Sequence, residues 1–384
     1  MSFDLNLNRR QLIGGAAAAG LMPFPALAAD SCAPAATFDY TPGTARRIAS
    51  SKGLFFGSCI GVDALRKDAR YRAINAQECN LFVHASELMW HELQPLPNDP
   101  YDFSRAEDVY AFGKHFGTPF RGHMMLDWNG LPKGFYDRVA SLSRQDTESL
   151  LVDHVQRLAT HWKGRFLDWN VMNEPVCGTV CPKNPWFPKL GEEYIDLAFA
   201  TTRSADDKVR LNLNQNLIEM EMSYERKTRD ALFLLVERLR KRGVDISSVG
   251  IEGHIRNGRV DQAGLEKFIL DLRSIGLTFF LSEIDVDDRD LPECPTQRDI
   301  AAASLVRDLL DVALAQPTCL GIIFWDLTDR YNWLVHNPKW NRANGGKQRP
   351  TLFDIEFRPK AMLETTVAAL KAAVGPGKLS IMPA

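Results

Sequence analysis

Two carboxylates frame the chemistry this chain can do. Asn173 and Glu174 stand side by side where an apolar run, Phe166 to Val171, gives way to Pro175. Much later a second apolar run, Leu277 to Leu281, leads into Ser282-Glu283-Ile284-Asp285. Either Glu alone could be a solvated strand end. Together they match what hydrolysis of a glycosidic bond needs. One carboxyl protonates the leaving oxygen, and the other attacks the sugar or directs a water onto it. Two strands that deliver a Glu at the same end are the arrangement a parallel barrel uses for catalysis.

The elements that must position these acids are legible as alternating patterns. Strand-like runs occur at Leu54–Ile60, Asn80–His84, Pro119–Leu126, Phe166–Val171, Val209–Asn214, Val249–Glu252, Leu277–Leu281 and Leu320–Trp325. Helical periodicity fills the gaps. Leu151, Val155, Leu158 and Trp162 recur at three- and four-residue steps, with Thr147 read as the cap. Ala231–Arg242, Gly264–Ser274, Asp299–Ala315 and Lys360–Ala373 read the same way. Eight β/α units without a Ser/Gly-rich linker predict an α/β chain with one (β/α)8 TIM barrel over residues 30–384. A doubly wound sheet is the alternative, but no G-x-G-x-x-G or phosphate loop follows any strand.

Composition is ordinary for a globular protein, with 45% hydrophobic and 24% charged residues over 384 positions. A formal charge of −2 gives no reason to expect nucleic acid or an anionic membrane as partner. Residues 1–29 read as a twin-arginine-type signal peptide. Asn8-Arg9-Arg10-Gln11-Leu12-Ile13 precedes an Ala/Gly-rich run and the small-x-small site Ala26-Leu27-Ala28. A periplasmic or secreted, monomeric protein is expected. Pro23 and Pro25 argue against a membrane anchor, and Asp30 and Ser31 against a lipid on Cys32. Export permits disulfides among the seven Cys. Cys177 and Cys181 could pair locally, and Cys59, Cys79 and Cys319 read as core thiols.

Polar groups gather where the strands should end. Arg121-Gly122-His123 closes the third run, Glu252 and His254 follow the sixth, and Trp325-Asp326 ends the eighth, with Trp333 beyond. Aromatic faces stack on pyranose rings, and amides and imidazoles hold hydroxyls. The set suits a β-linked polysaccharide or oligosaccharide.

The motifs resemble those of glycoside hydrolase family 10, the β-1,4-xylanase family, from about Gly53 to Lys371. The matching pieces are Arg121-Gly122-His123, Trp169 with Asn173-Glu174, Val249-Gly250 with His254, and Glu283 with Asp285. Phe324-Trp325 with Thr328-Asp329 and Trp333 follow, then Leu352-Phe353-Asp354 and Pro359-Lys360-Ala361. The resemblance implies a retaining endo-1,4-β-xylanase with Glu174 as acid/base and Glu283 as nucleophile. It implies that Asn173 holds the sugar 2-hydroxyl, that His254 supports Glu283 with Asp285 behind it, and that Trp325 and Trp333 wall the sugar site. His123, Glu252, Glu87, Trp90 and Trp128 are further candidates for substrate binding or support.

Several positions depart from that family's pattern. Where it carries Glu-Asn-Glu-x-Lys-Trp, this chain reads Ala85-Ser86-Glu87-Leu88-Met89-Trp90. The family's Trp-His pair falls on Asp127-Trp128, its Asp before the strand 4 Val on Asn170, and its Asn-Asp-Tyr on Asn214-Gln215-Asn216. Its Gln two residues before the strand 6 His is Glu252. A catalytic pair with a rebuilt glycone pocket is expected. The competing readings are a family-10-like hydrolase of another β-linked glycan or plant glycoside, and a barrel that binds sugar without cleaving it. A metal-dependent hydrolase would have only Glu252, His254 and Asp285 as ligands and no H-x-H pair, so no metal or other cofactor is expected.

Overall fold

A computed structural model describes Cys32 and residues 40–97, 99–256 and 258–376. The predicted signal segment therefore lies outside the described residues. Eight parallel strands close into a barrel: β1 (Phe55–Ile60), β2 (Leu81–His84), β3 (Phe120–Leu126), β4 (Asp168–Asn173), β5 (Arg210–Gln215), β6 (Ser248–Ile251), β8 (Thr278–Asp287) and β9 (Cys319–Phe324). A short β7 (His254–Arg256) lies beside the upper part of β8. Closure runs through β6 pairing β8 at Ser248↔Thr278 and β9 pairing β1 at Gly321↔Phe55. Strands covered on both faces are apolar along their length, so the sequence pattern exposed them.

The differences from the expected elements fall where polar chemistry interrupts that pattern. β4 continues to Asn173, β3 carries Arg121 and His123 inside it, and β8 runs on through Glu283 and Asp285 instead of stopping at Leu281. β7 was not expected. Thr147 does not cap its helix. That helix spans Arg144–His161, Ser143 accepts the Asp146 N–H at its start, and Thr147 donates back to the Ser143 carbonyl from the first turn. The other helices begin earlier or later than read, at Ser223–Lys241, Gln262–Ser274, Pro295–Leu314 and Ala361–Ala372.

Cys59, Cys79 and Cys319 are buried thiols. Cys32 is bonded to Cys294, tying the leading segment to the start of the Pro295–Leu314 helix, a pairing that spacing gave no sign of. Cys177 and Cys181 are unbonded, with their sulfurs 2.7 Å apart. Among the described residues, no helix is long and apolar enough to cross a membrane.

Side chains pointing into the barrel alternate with those facing the helices. On β3 to β6 the inward set is polar. Arg121 donates to Asp168 (2.9 Å) and Asn212 (2.6 Å), Asn212 to Ser248 (2.8 Å), and Ser248 to Asp168 (3.1 Å). Gly250 leaves room for the next layer, since a Cβ there would lie 1.8 Å from Asn214 Oδ1. On the opposite side Cys59, Leu81, Val83, Phe280, Leu320 and Ile323 form a separate apolar cluster.

Candidate active site

The carboxyl-terminal ends of β4, β5, β6 and β8 bring the predicted groups together above the polar layer. Glu174 follows β4 with a left-handed φ of 48°, a conformation costly for a side-chain-bearing residue. It is held there by its N–H donating to the Asn214 carbonyl at 2.8 Å. Gln215 fixes the next turn by clasping both backbone groups of Val176 at 3.0 Å. The turn lifts Glu174 out of the sheet, and the residue is half-buried at the cleft.

Asn214 is the hub. Its Nδ2 donates to Glu283 Oε1 (2.7 Å), Glu252 Oε1 (3.0 Å) and Asn173 Oδ1 (3.0 Å), while Ser282 donates to its Oδ1 (2.6 Å). Sequence reading noted Asn214 only as a departure from a family pattern. The usable signal was the alternation Leu211-Asn212-Leu213-Asn214, which turns both amides inward. Asn173 Oδ1 also accepts from Asn170 (2.8 Å), so what Asn173 offers a sugar hydroxyl is its NH2.

Glu283 is 4% exposed. His254 stands beside it, with Nε2 3.4 Å from Glu283 Oε2 and Nδ1 2.7 Å from Asp285 Oδ1. Asp285 in turn accepts from the Trp333 indole at 2.8 Å. Burial works against a charged His254, but Asp285 and Glu283 outweigh it and raise its pKa well above the usual imidazole value. Burial likewise works against a charged Glu283, yet its pKa falls below the ordinary carboxylate range. His123 Nδ1 lies 3.7 Å from Glu283, but burial lowers the His123 pKa to about 4. The charge of His123 would be the largest of the lowering influences on Glu283, ahead of His254 and Arg121. A His123 neutral near neutral pH supplies none of it, so there only the hydrogen bond and charge of His254 and the charge of Arg121 favour the anion.

Glu174 is driven the other way. Burial first, then the charges of Asp127 and Glu283, raise its pKa to about 8. The nearby Trp128 side chain works weakly against that rise. Asp127 is itself raised to about 6 by burial. It caps its own loop by accepting the Trp128 and Gly130 N–H groups at 2.7 and 3.2 Å. Two carboxyls whose surroundings push them in opposite directions are the mark of an acid and a base with divided roles.

The remaining candidates separate. Trp325 meets His123 edge to face at 4.9 Å, and Trp333 meets His254 at 5.8 Å, so both border the cleft. Trp340, absent from the expected set, packs on Trp333 at 5.1 Å. Ala85 and Ser86 line a cavity with Cys59, Trp325, Asp326 and Trp333. Glu87 borders it too, but its oxygens are taken by the Val62 and Ser86 N–H groups. Trp90 is stacked on His154 at 3.5 Å and packed against Phe135 and Trp186, a core position.

Residues 44–369 match the profile described as Glycosyl hydrolase family 10. A Beta-1,4-xylanase from Dictyoglomus thermophilum is 25% identical over 301 residues, covering 76% of this chain and 82% of that protein. Endo-1,4-beta-xylanase B from Thermotoga neapolitana is 25% identical over 294 residues, covering 76% and 80%. Xylanase 10B from Thermotoga petrophila, solved with xylobiose, shares the fold with a TM-score of 0.77 at 23% identity, covering 88% of this chain and 99% of that one.

Proposed function

The chain belongs to glycosyl hydrolase family 10, and from that premise we propose that it is a retaining endo-1,4-β-xylanase. It cleaves internal β-1,4 bonds of xylan-type polysaccharide by double displacement. The observation that carries this reading is the placing of two carboxyls at the end of β4 and on β8, both tied to Asn214, in surroundings that push the pKa of Glu174 up and that of Glu283 down. Glu174 gives its proton to the leaving oxygen as Glu283 attacks the anomeric carbon, forming a glycosyl-enzyme. Glu174, now anionic, takes a proton from water, which attacks the same carbon and releases the sugar with its configuration retained. The Asn173 NH2 binds the sugar 2-hydroxyl, and the Asp285–His254 pair keeps Glu283 oriented.

A second reading is favoured by one observation. Ala85, Ser86 and Met89 stand where charged and amide groups would bind a bare second glycone sugar. A decorated xylan or another β-linked glycan, with a less polar substituent there, is then the better substrate. Hydrolysis of xylan, glucuronoarabinoxylan, β-glucans and aryl β-glycosides, with product sizes and the first anomer by NMR, tests both. A first product of α configuration would overturn retention. Labelling by a 2-fluoro β-glycoside should fall on Glu283, with the carboxyls roughly 5–5.5 Å apart.

The protein works as an exported monomer. Arg9 and Arg10 support the twin-arginine route, and changing both to Lys should leave precursor in the cytoplasm. Normal export of that variant would point to the general secretory route.

A further inference from the structure

Glu252 is a carboxyl group that the mechanism does not use. It closes the end of β6, is 1% exposed, and is held on one side only, by Asn214 donating to Oε1. Oε2 is buried without a hydrogen-bond partner among the described residues. It faces a gap between His254, whose Nε2 is 3.7 Å away, and the nucleophile. One carboxyl oxygen of Glu252, one of Glu283 and a ring nitrogen of His254 all lie within 4.8 Å of one another.

The charges around this gap do not balance if every acid is ionised. Glu283 and Asp285 approach from β8 and Glu174 from the turn after β4, and Glu219 acts on Glu252 from the loop after β5. The cations are His254 from β7 and Arg121 from β3, which is already spent on Asp168 and Asn212. His123 is buried and neutral near neutral pH. One imidazolium at the edge of the cleft does not compensate that many carboxylates, least of all a Glu252 side chain that is itself fully buried.

We propose that Glu252 is a positioning residue that carries a proton, its Oε2–H turned into the gap beside Glu283, so that a carboxylic acid supplies the donor next to the nucleophile. Burial first, and then the charge of Glu283, act in that direction. The neutral acid gives Oε2 a donor role and leaves Glu283 the sole anion of the pair. Glu252→Gln is then a near-isosteric replacement of one neutral donor by another. Glu252→Ala removes the donor and frees space beside Glu283.

The inference rests on the hydrolase reading, and the experiment separates the two. Infrared difference spectra at pH 7, without substrate, compare Glu174→Gln with Glu174→Gln/Glu252→Gln. The first protein should show a protonated-carboxylic-acid band that the second lacks, over whatever other buried acids such as Asp326 contribute to both. Absence of that difference sinks this proposal, whatever the protein hydrolyses. With Glu174 intact, Glu252→Gln, which keeps a neutral donor, should leave both limbs of the pH profile in place and recover most of the kcat that Glu252→Ala loses. Glu252→Ala should move the acid limb up by about one unit, because Glu283 loses a donor to its anionic form. A merely structural Glu252 would lower kcat in both variants without moving a limb, which would overturn the proposal. So would an alkaline limb shifted down by a unit or more in Glu252→Gln, since that marks the removal of a negative charge beside Glu174. Loss of activity on dialysis against a chelator, restored by a divalent cation, would put a metal where we place the proton.

Discussion

The barrel interior has two halves of opposite chemistry. Beneath β3 to β6, Arg121, Asp168, Asn212 and Ser248 form a buried hydrogen-bonded layer, and Asn214 carries it up to Asn173, Glu252 and Glu283. Beneath β1, β2 and β9, joined by Phe280 of β8, the interior is Cys59, Leu81, Val83, Leu320 and Ile323. Each half continues into the cleft in its own character. The polar half ends on paired carboxyls with assigned partners. The apolar half ends on Ala85 and Ser86, beside a Glu87 spent on backbone N–H groups. Partnered polar networks are expensive to leave incomplete, which ties their members together. An apolar wall has no such constraint, so side chains above it can change one at a time. Chemistry is therefore fixed on one side of this barrel, and substrate choice is open on the other.

The largest expected effect breaks the polar half at its working end. Glu174→Ala should lower kcat/KM on polysaccharide by about 10²–10⁴-fold. It should spare much of the first step on aryl glycosides with acidic leaving groups, which need no proton. Azide should restore turnover and yield a β-glycosyl azide. Equal loss on every substrate without rescue would remove Glu174 from the acid/base role.

Next comes the apolar half. Ala85→Glu, Ser86→Asn and Met89→Lys made together return a carboxylate acceptor, an amide and an ammonium donor to the glycone wall. Each hydrogen bond to a charged group is worth about 1.5–3 kcal/mol, and two or three amount to more than a hundredfold at about 1.4 kcal/mol per tenfold. Activity on linear xylo-oligosaccharides should rise by that order. An unchanged kcat/KM on xylotriose, or a wild type already as fast as ordinary xylanases, would show that the halves do not divide chemistry from specificity.

Asn214→Ala cuts the link between the two polar layers. It removes a hydrogen bond to the Glu283 anion, so kcat should fall about tenfold to a hundredfold. KM should change little. Asn212→Ala, one layer below, should lower the melting temperature while leaving the pH profile in place.

The two halves were not equally legible in the sequence. The eight strands showed because doubly covered parallel strands are apolar along their length. The strand ends were misjudged for the same reason. Asn173, Glu283 and Asp285 break the apolar run, and the backbone pairing continues through them. Glu174 and Glu283, the pair proposed for catalysis, stood out because a carboxylate at a strand end is conspicuous. Asn214 was read as the end of a strand but not as a site residue, because nothing local shows which groups of neighbouring strands its amide meets. Trp90 misled in the opposite sense. Its place in a sugar-binding motif suggested the cleft, but Phe135, His154 and Trp186 bury it. Cys32–Cys294 left no trace, since a long-range pairing has no local pattern.

The smallest expected effect tests how the polar half tunes its acid. Glu174 works protonated, so activity should hold below its pKa of about 8 and fall about tenfold per unit above it. The base limb belongs to Glu174 because Glu283, already below the ordinary carboxylate range, stays ionised throughout. Burial is the main cause of the raised value, and the Asp127 charge is the next. Asp127 itself titrates at about 6, so near pH 8 it is ionised and helps Glu174 keep its proton. Asp127→Asn removes that charge but leaves one oxygen to accept a loop N–H group. The alkaline limb of kcat/KM should then move to lower pH by less than about one unit, with the rate at pH 6 nearly unchanged. A limb that stays in place would leave burial and Glu283 to account for the acid alone. A limb that moves up would mean that Asp127 stabilises the ionised Glu174, against the sign that two neighbouring carboxylates require.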